Sequence, residues 1–138
     1  MSSTTVSPTT VAPPRSRGRT ALLQGTRVLL GAFGAFKLAG TVFFLFFATA
    51  EQGGDPQGWF DWSVGGWSWV LGAGYVVIAI GLGRGRNVVP LTLGLAAADV
   101  AFSFVKFFVY DEPEAVGFLA TTLVLTALVV ASARSRRA

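Results

Sequence analysis

Four long apolar runs, separated by short polar segments, dominate the chain: residues 28–50, 62–83, 88–110 and 115–133. About 20 residues at 1.5 Å rise cross the hydrocarbon core of a bilayer, so each run can be a membrane-spanning helix. The pattern predicts an all-α integral membrane fold, an antiparallel four-transmembrane-helix bundle over residues 21–133, with helices over about 24–50, 62–83, 88–110 and 114–133. The last two connections are tight, which makes sequential helices antiparallel neighbours. Residues 1–20 are rich in Ser, Thr and Pro and end in an Arg-Ser-Arg-Gly-Arg run, predicting a disordered basic tail; residues 134–138 form a second basic tail.

Local signals agree with these boundaries. Pro90 falls in the first turn of the third helix, with Asn87 as candidate N-cap. Pro113 opens the fourth helix, with Asp111 as candidate cap, and Asp61 or Ser63 can cap the second. Trp59, Trp62, Trp67 and Trp69 gather at one end of the second helix, where indoles favour the headgroup level. Ala48-Thr49-Ala50 resembles a signal-peptidase site, but the preceding apolar run is far longer than the roughly 7–15 residues of a signal core.

Charge orients the bundle. Arg15, Arg17, Arg19 and Arg27 precede the first helix, Arg84 and Arg86 join the second to the third, and Arg134, Arg136 and Arg137 follow the fourth. All of these fall on one side, whereas Glu51, Asp55, Asp61, Asp111, Glu112 and Glu114 fall on the other. The positive-inside rule then places both termini in the cytoplasm. Composition fits: 52% of residues are apolar and 13% charged, and the mean hydropathy is +0.59. A soluble chain of this length could not enclose so much apolar surface.

The chemistry is confined to a few intramembrane polar residues. Only Lys37 interrupts the first run, and the second and fourth carry no charge. On the third helix Thr92, Ala96, Asp99, Ser103, Lys106 and Tyr110 recur at alternating spacings of four and three, one stripe that must face the bundle interior. Lys37 lies about 15 Å in from Arg27 and Asp99 about 20 Å in from Arg86 by helix rise, a difference that a lysine stem can cover. Tyr75 and Thr122 fall near the same depth. The candidate intramembrane polar site is therefore Lys37, Tyr75, Asp99, Ser103, Lys106 and Thr122. A self-neutralising pair can instead serve only to fix helix register, and Lys106 can snorkel to the acidic loops.

Cys and His are absent. That excludes disulfides, Cys/His metal sites and histidine-held haem, and removes the usual general base near neutral pH. No catalytic residue, cofactor or metal is expected. The glycines of Gly81-Leu82-Gly83-Arg84-Gly85 do not follow a strand, so nucleotide binding is rejected. Gly31, Ala35 and Ala39, and Gly94 and Ala98, form small-residue stripes that allow close helix contact, with a neighbour in the same chain or in another.

From Arg27-Val28-Leu29-Leu30-Gly31 to Phe36-Lys37-Leu38-Ala39-Gly40 the chain resembles the first helix of DoxX-like small membrane proteins. The resemblance covers that helix and the topology; the Arg-to-Lys separation is shorter here, and the later helices show no match. It implies a small prokaryotic four-helix membrane protein without a defined common activity. Three readings of function are open: a non-enzymatic accessory or assembly component of a membrane complex; a minimal oligomeric transporter or channel for a proton or small polar solute, working through Lys37 and Asp99; and a lipid- or quinone-linked membrane enzyme. The expected partners are the lipid bilayer and another membrane protein or further copies of the chain, with no nucleic acid, and the expected location is the cytoplasmic membrane.

Overall fold

A computed structural model of the chain describes residues 15–49, 51 and 58–137. It contains α1 (Arg15–Phe46), α2 (Trp59–Gly83), α3 (Val89–Val109) and α4 (Ala115–Arg137), with no strand among the described residues. All four helices are long and apolar enough to cross a membrane. α1 packs on α2 and α4, and α3 packs on the same two neighbours, so the helices close into a four-membered ring. Leu30, Tyr75, Ile78, Leu82, Leu125 and Val129 fill the centre. Val28, Phe36, Phe47, Trp59, Phe108 and Val109 lie outside and well exposed. An apolar exterior around a core this thin is what lipid, not water, would cover.

Several boundaries differ from the sequence expectation. α1 begins at Arg15, so residues 15–20 are helical rather than tail, and it ends at Phe46 rather than near residue 50. Residues 1–14 lie outside the described residues. α4 continues through Arg137, so the expected basic tail is the helix's last turn, where cations face the negative end of the helix dipole. α2 starts at Trp59 after Gly58, with no side-chain cap. Neither Asp61 nor Ser63 caps it, because Asp61 accepts from Tyr110 and Ser63 donates back to the Trp59 carbonyl.

The connections are set by backbone chemistry. α2 stops in a Schellman motif: the Arg86 N–H closes on the Gly81 carbonyl at 3.0 Å and the Gly85 N–H on Leu82 at 3.3 Å. Gly85 supplies the left-handed residue, with φ of 74°. Pro90 sits in the first turn of α3, whose N-cap position is Val88, while Asn87 accepts from the Val89 N–H at 3.4 Å. Asp111 does not cap α4. It takes the left-handed conformation (φ 52°) that turns the chain out of α3, a conformation Asp tolerates better than most residues.

α1 and α2 approach backbone to backbone at Gly34 and Gly72. A Cβ at Gly34 would stand 2.6 Å from the Gly72 carbonyl oxygen, and one at Gly72 would stand 3.0 Å from that of Gly34. The expected small-residue stripes are not this contact. Gly31 and Gly94 have open space where a Cβ would go, and Ala35 and Ala39 face outward. The stripe that α1 buries is Thr26, Leu30, Gly34, Lys37 and Thr41, on a different face.

Candidate functional site

Each helix contributes one residue to a cluster buried at the centre of the bundle. Asp99 of α3 is fully inaccessible, and Lys37 of α1 is 6% exposed. The Lys37 Nζ donates to Asp99 Oδ1 at 2.9 Å. Asp99 Oδ2 accepts from the Tyr75 hydroxyl of α2 and from Thr122 Oγ1 of α4, both at 2.7 Å. The two hydroxyls also stand 3.3 Å apart. The carboxylate thus receives an ammonium on one oxygen and two hydroxyl donors on the other, each from a different helix.

Helical geometry explains the convergence. Thr92, Ala96, Asp99 and Ser103 are all buried on one face of α3, and Tyr75 and Thr122 are buried on the inward faces of α2 and α4. Lys37 is held as its position at the Gly34–Gly72 contact dictates: its Cβ lies 3.0 Å from where a Gly72 Cβ would be. A larger residue at 72 would push the lysine stem away from Asp99.

Aromatic rings complete the surroundings of the ammonium. Lys37 Nζ lies 5.2 Å from the Phe33 ring centre, 5.3 Å from Phe118 and 5.6 Å from Phe102. These ring faces stabilise a desolvated cation. The sequence reading missed all three, since a Phe in an apolar run carries no signal of its own. Phe33 and Phe118 could have been found only through their spacing from Lys37 and Thr122, four residues away on the same helical faces.

The other two predicted residues lie toward the end of the bundle that carries the acidic turns. Ser103 is buried beside the cluster and lines a shallow apolar groove between α3 and α4 with Phe107, Ala115 and Leu119. Lys106 is not part of the cluster. It reaches outward to Glu112, with Nζ 2.8 Å from the carboxylate, and its ammonium also lies within 6 Å of Phe102 and Phe118. Those two rings therefore separate two ion pairs, one buried and one at the rim. Nearby, the Tyr110 hydroxyl donates to Asp61 at 2.6 Å. Burial, then that hydrogen bond and the charge of Asp61, push the Tyr110 phenol up to about 12.

Smaller polar contacts were not anticipated. Thr41 donates to Ser68 at 3.1 Å between α1 and α2, and Thr26 and Ser132 share a 3.2 Å hydrogen bond between α1 and α4. No buried side-chain nitrogen or oxygen among the described residues lacks a partner. No group of three or more metal-ligating side chains comes together among them either.

No protein-family model matches the chain, and no curated protein or solved structure is significantly similar to it.

Proposed function

We propose that this is a non-enzymatic, multi-pass protein of the prokaryotic cytoplasmic membrane, an accessory or assembly component of a larger membrane complex, in which the Lys37–Asp99 cluster acts as a structural lock. The observation that carries this reading is the closure of the site. Both Asp99 oxygens are engaged by donors from all three other helices. A buried charge pair satisfied in this way fixes register and helix order, and the apolar exterior is left for lipid or a partner chain. The bundle is antiparallel, a topology supported by the pairings of Arg27 with Gly83, Gly34 with Gly72 and Leu45 with Gly65. Both termini are cytoplasmic, on the side that carries every arginine. The likeness of α1 to the first DoxX-like helix belongs to the same proposal.

The second reading is a minimal oligomeric transporter for a proton or small polar solute. It draws on the same pair, because intramembrane Lys and Asp commonly mark ion pathways, and on the polar stripe that continues to Lys106. Purification from native membranes in mild detergent, followed by reconstitution, separates the two. The accessory reading expects a stoichiometric foreign subunit that persists through two orthogonal separations, and proteoliposomes that hold a pH gradient as empty ones do. A pure homo-oligomer that discharges the gradient would refute it.

A further inference from the structure

The end of the bundle that carries the start of α1 and the end of α4 holds a second feature, independent of the Lys37–Asp99 cluster. The Arg27 Nε of α1 donates to the Ala79 carbonyl at 3.3 Å, and Nη1 reaches the Gln24 side chain at 3.1 Å. Its guanidinium lies flat against Gly83, in space that any side chain there would occupy. Arg136 of α4 donates to the Leu82 carbonyl. Ala79, Leu82 and Gly83 belong to one turn of a helix, so guanidiniums from α1 and α4 converge on the last turn of α2. Arg84 and Arg86 follow in the turn, both exposed.

Part of this is capping, since the last carbonyls of α2 carry partial negative charge. About half an elementary charge at a helix end does not balance two guanidiniums and two further arginines. No carboxylate side chain is near in sequence: residues 1–50, 62–98 and 115–138 contain neither Asp nor Glu. The ion pairs Lys37–Asp99 and Lys106–Glu112 both lie away from this end. Among the described residues, no Asp or Glu side chain is paired with Arg27, Arg84 or Arg136.

We infer that Arg27 and Arg136, with Arg84 beside them, form a binding site for the phosphate of an anionic phospholipid headgroup. Guanidinium geometry suits phosphate oxygens, and basic pockets between membrane helices hold such headgroups. A lipid is the ligand, rather than free phosphate, because apolar surface continues directly from the arginines. Val28 and Leu29, beside Arg27, are 68% and 51% exposed, and Ile80, next to the Arg27 acceptor, is 46% exposed. Acyl chains lying on these residues place the headgroup at the guanidiniums.

The test uses the full-length protein in nanodiscs of phosphatidylcholine with 20 mol% phosphatidylglycerol (roughly the anionic content that gives a strong surface potential). Retained lipid is counted by native mass spectrometry and the melting temperature measured by Trp fluorescence. The wild type should retain phosphatidylglycerol well above its bulk share and melt higher than in pure phosphatidylcholine. Each of Arg27→Gln and Arg136→Gln should reduce that preference about 5-fold, and the double variant about 30-fold. Should the double variant not accumulate, Arg136→Gln alone, a change in the last turn of α4, carries the test. Arg137→Gln, exposed and outside the pair, should stay within about two-fold of wild type. An equal loss in Arg137→Gln would show diffuse attraction and overturn the site. Equal protection by 10 mM inorganic phosphate (roughly a saturating level for weak anion sites) would overturn the lipid assignment. Absence of any phosphatidylglycerol preference in the wild type would overturn both.

Discussion

Removing one member of the Lys37–Asp99 pair should destabilise the protein far more than removing both. Lys37→Met leaves Asp99 buried, yet still holding the Tyr75 and Thr122 hydroxyls at 2.7 Å. Hydrogen bonds to a charged acceptor contribute about 1.5–3 kcal/mol each, so this loss should fall at the lower end of the about 3–5 kcal/mol typical of a broken buried pair. Asp99→Leu is worse. It strands the ammonium among Phe33, Phe118 and Phe102 at 5.2–5.6 Å, where cation–π attraction supplies only about 0.5–2 kcal/mol per ring. It also takes the acceptor from two hydroxyls. That loss should reach the upper end of the same range.

The double variant Lys37→Met/Asp99→Leu removes both charges, and the freed Tyr75 and Thr122 hydroxyls, 3.3 Å apart, can bond to each other. Its stability should lie within about 1 kcal/mol of wild type, or above it. Reversible unfolding in mixed detergent–SDS micelles, followed by the fluorescence of the four tryptophans, measures all four corners of the cycle. The coupling energy should be several kcal/mol. Losses that add to within about 0.5 kcal/mol would mean that the two residues act independently, and the structural lock would have to be abandoned. A double variant that is stable but inactive in cells would shift the assignment to the transport reading.

Three further outcomes are expected. Gly34→Ala should destabilise by about 1–3 kcal/mol, because its Cβ would stand 2.6 Å from the Gly72 carbonyl oxygen, whereas Gly31→Ala, with open space, should be neutral or gain up to about 1 kcal/mol; the same micelle titration compares them. In this cysteine-free chain, an impermeant thiol reagent applied to intact cells should label Gln57→Cys and not Asn87→Cys, and the reverse would invert the proposed orientation. The Tyr110 phenol is raised from its ordinary value of 10 to about 12 in the folded state, so its contribution is complete below pH 10 and is lost as pH rises from 10 toward 12; the melting temperature of Tyr110→Phe should therefore fall less over that interval than that of wild type, and parallel curves would refute the assignment.

The spans were legible because apolar runs of this length have one physical outcome, and Asp99 was legible because a carboxylate in such a run must find donors. Depth arithmetic placed Lys37, Tyr75 and Thr122 level with it, but depth says nothing about rotation. That is why the α1 stripe did not locate the contact with α2. Gly31, Ala35 and Ala39 repeat every fourth residue and look like a packing face, yet the face that turns inward is the one that carries Lys37. Had the lysine been used to orient the helix, Gly34 would have stood out as its neighbour, one turn earlier on the same side. The ends of α1 and α4 failed for another reason. Polar, arginine-rich sequence is compatible with helix as well as tail, and composition alone does not show where a span stops and its extension beyond the membrane begins.

The placement of the charges also constrains how the bundle assembles. A charge at mid-bilayer costs about 2.5–3.5 kcal/mol in an isolated helix, against roughly 0.3–0.6 regained per Leu, Ile, Phe or Val. Within their apolar runs α1 carries Lys37 alone, whereas α3 carries Asp99 at depth and Lys106 nearer the rim, so α3 is the helix least able to stand alone. The Gly34–Gly72 contact brings α1 and α2 together at the level of Lys37, so that pair presents the Lys37 ammonium and the Tyr75 hydroxyl to Asp99. α3 and α4 present the complement, a carboxylate bonded to the Thr122 hydroxyl. Each pair holds an uncompensated charge until it meets the other, and a docking or register that separates Lys37 from Asp99 leaves both without this partner. On the proposed lock reading, the cluster contributes less to the depth of the native minimum than to the height of its competitors, which is the property a lock between two helix pairs requires.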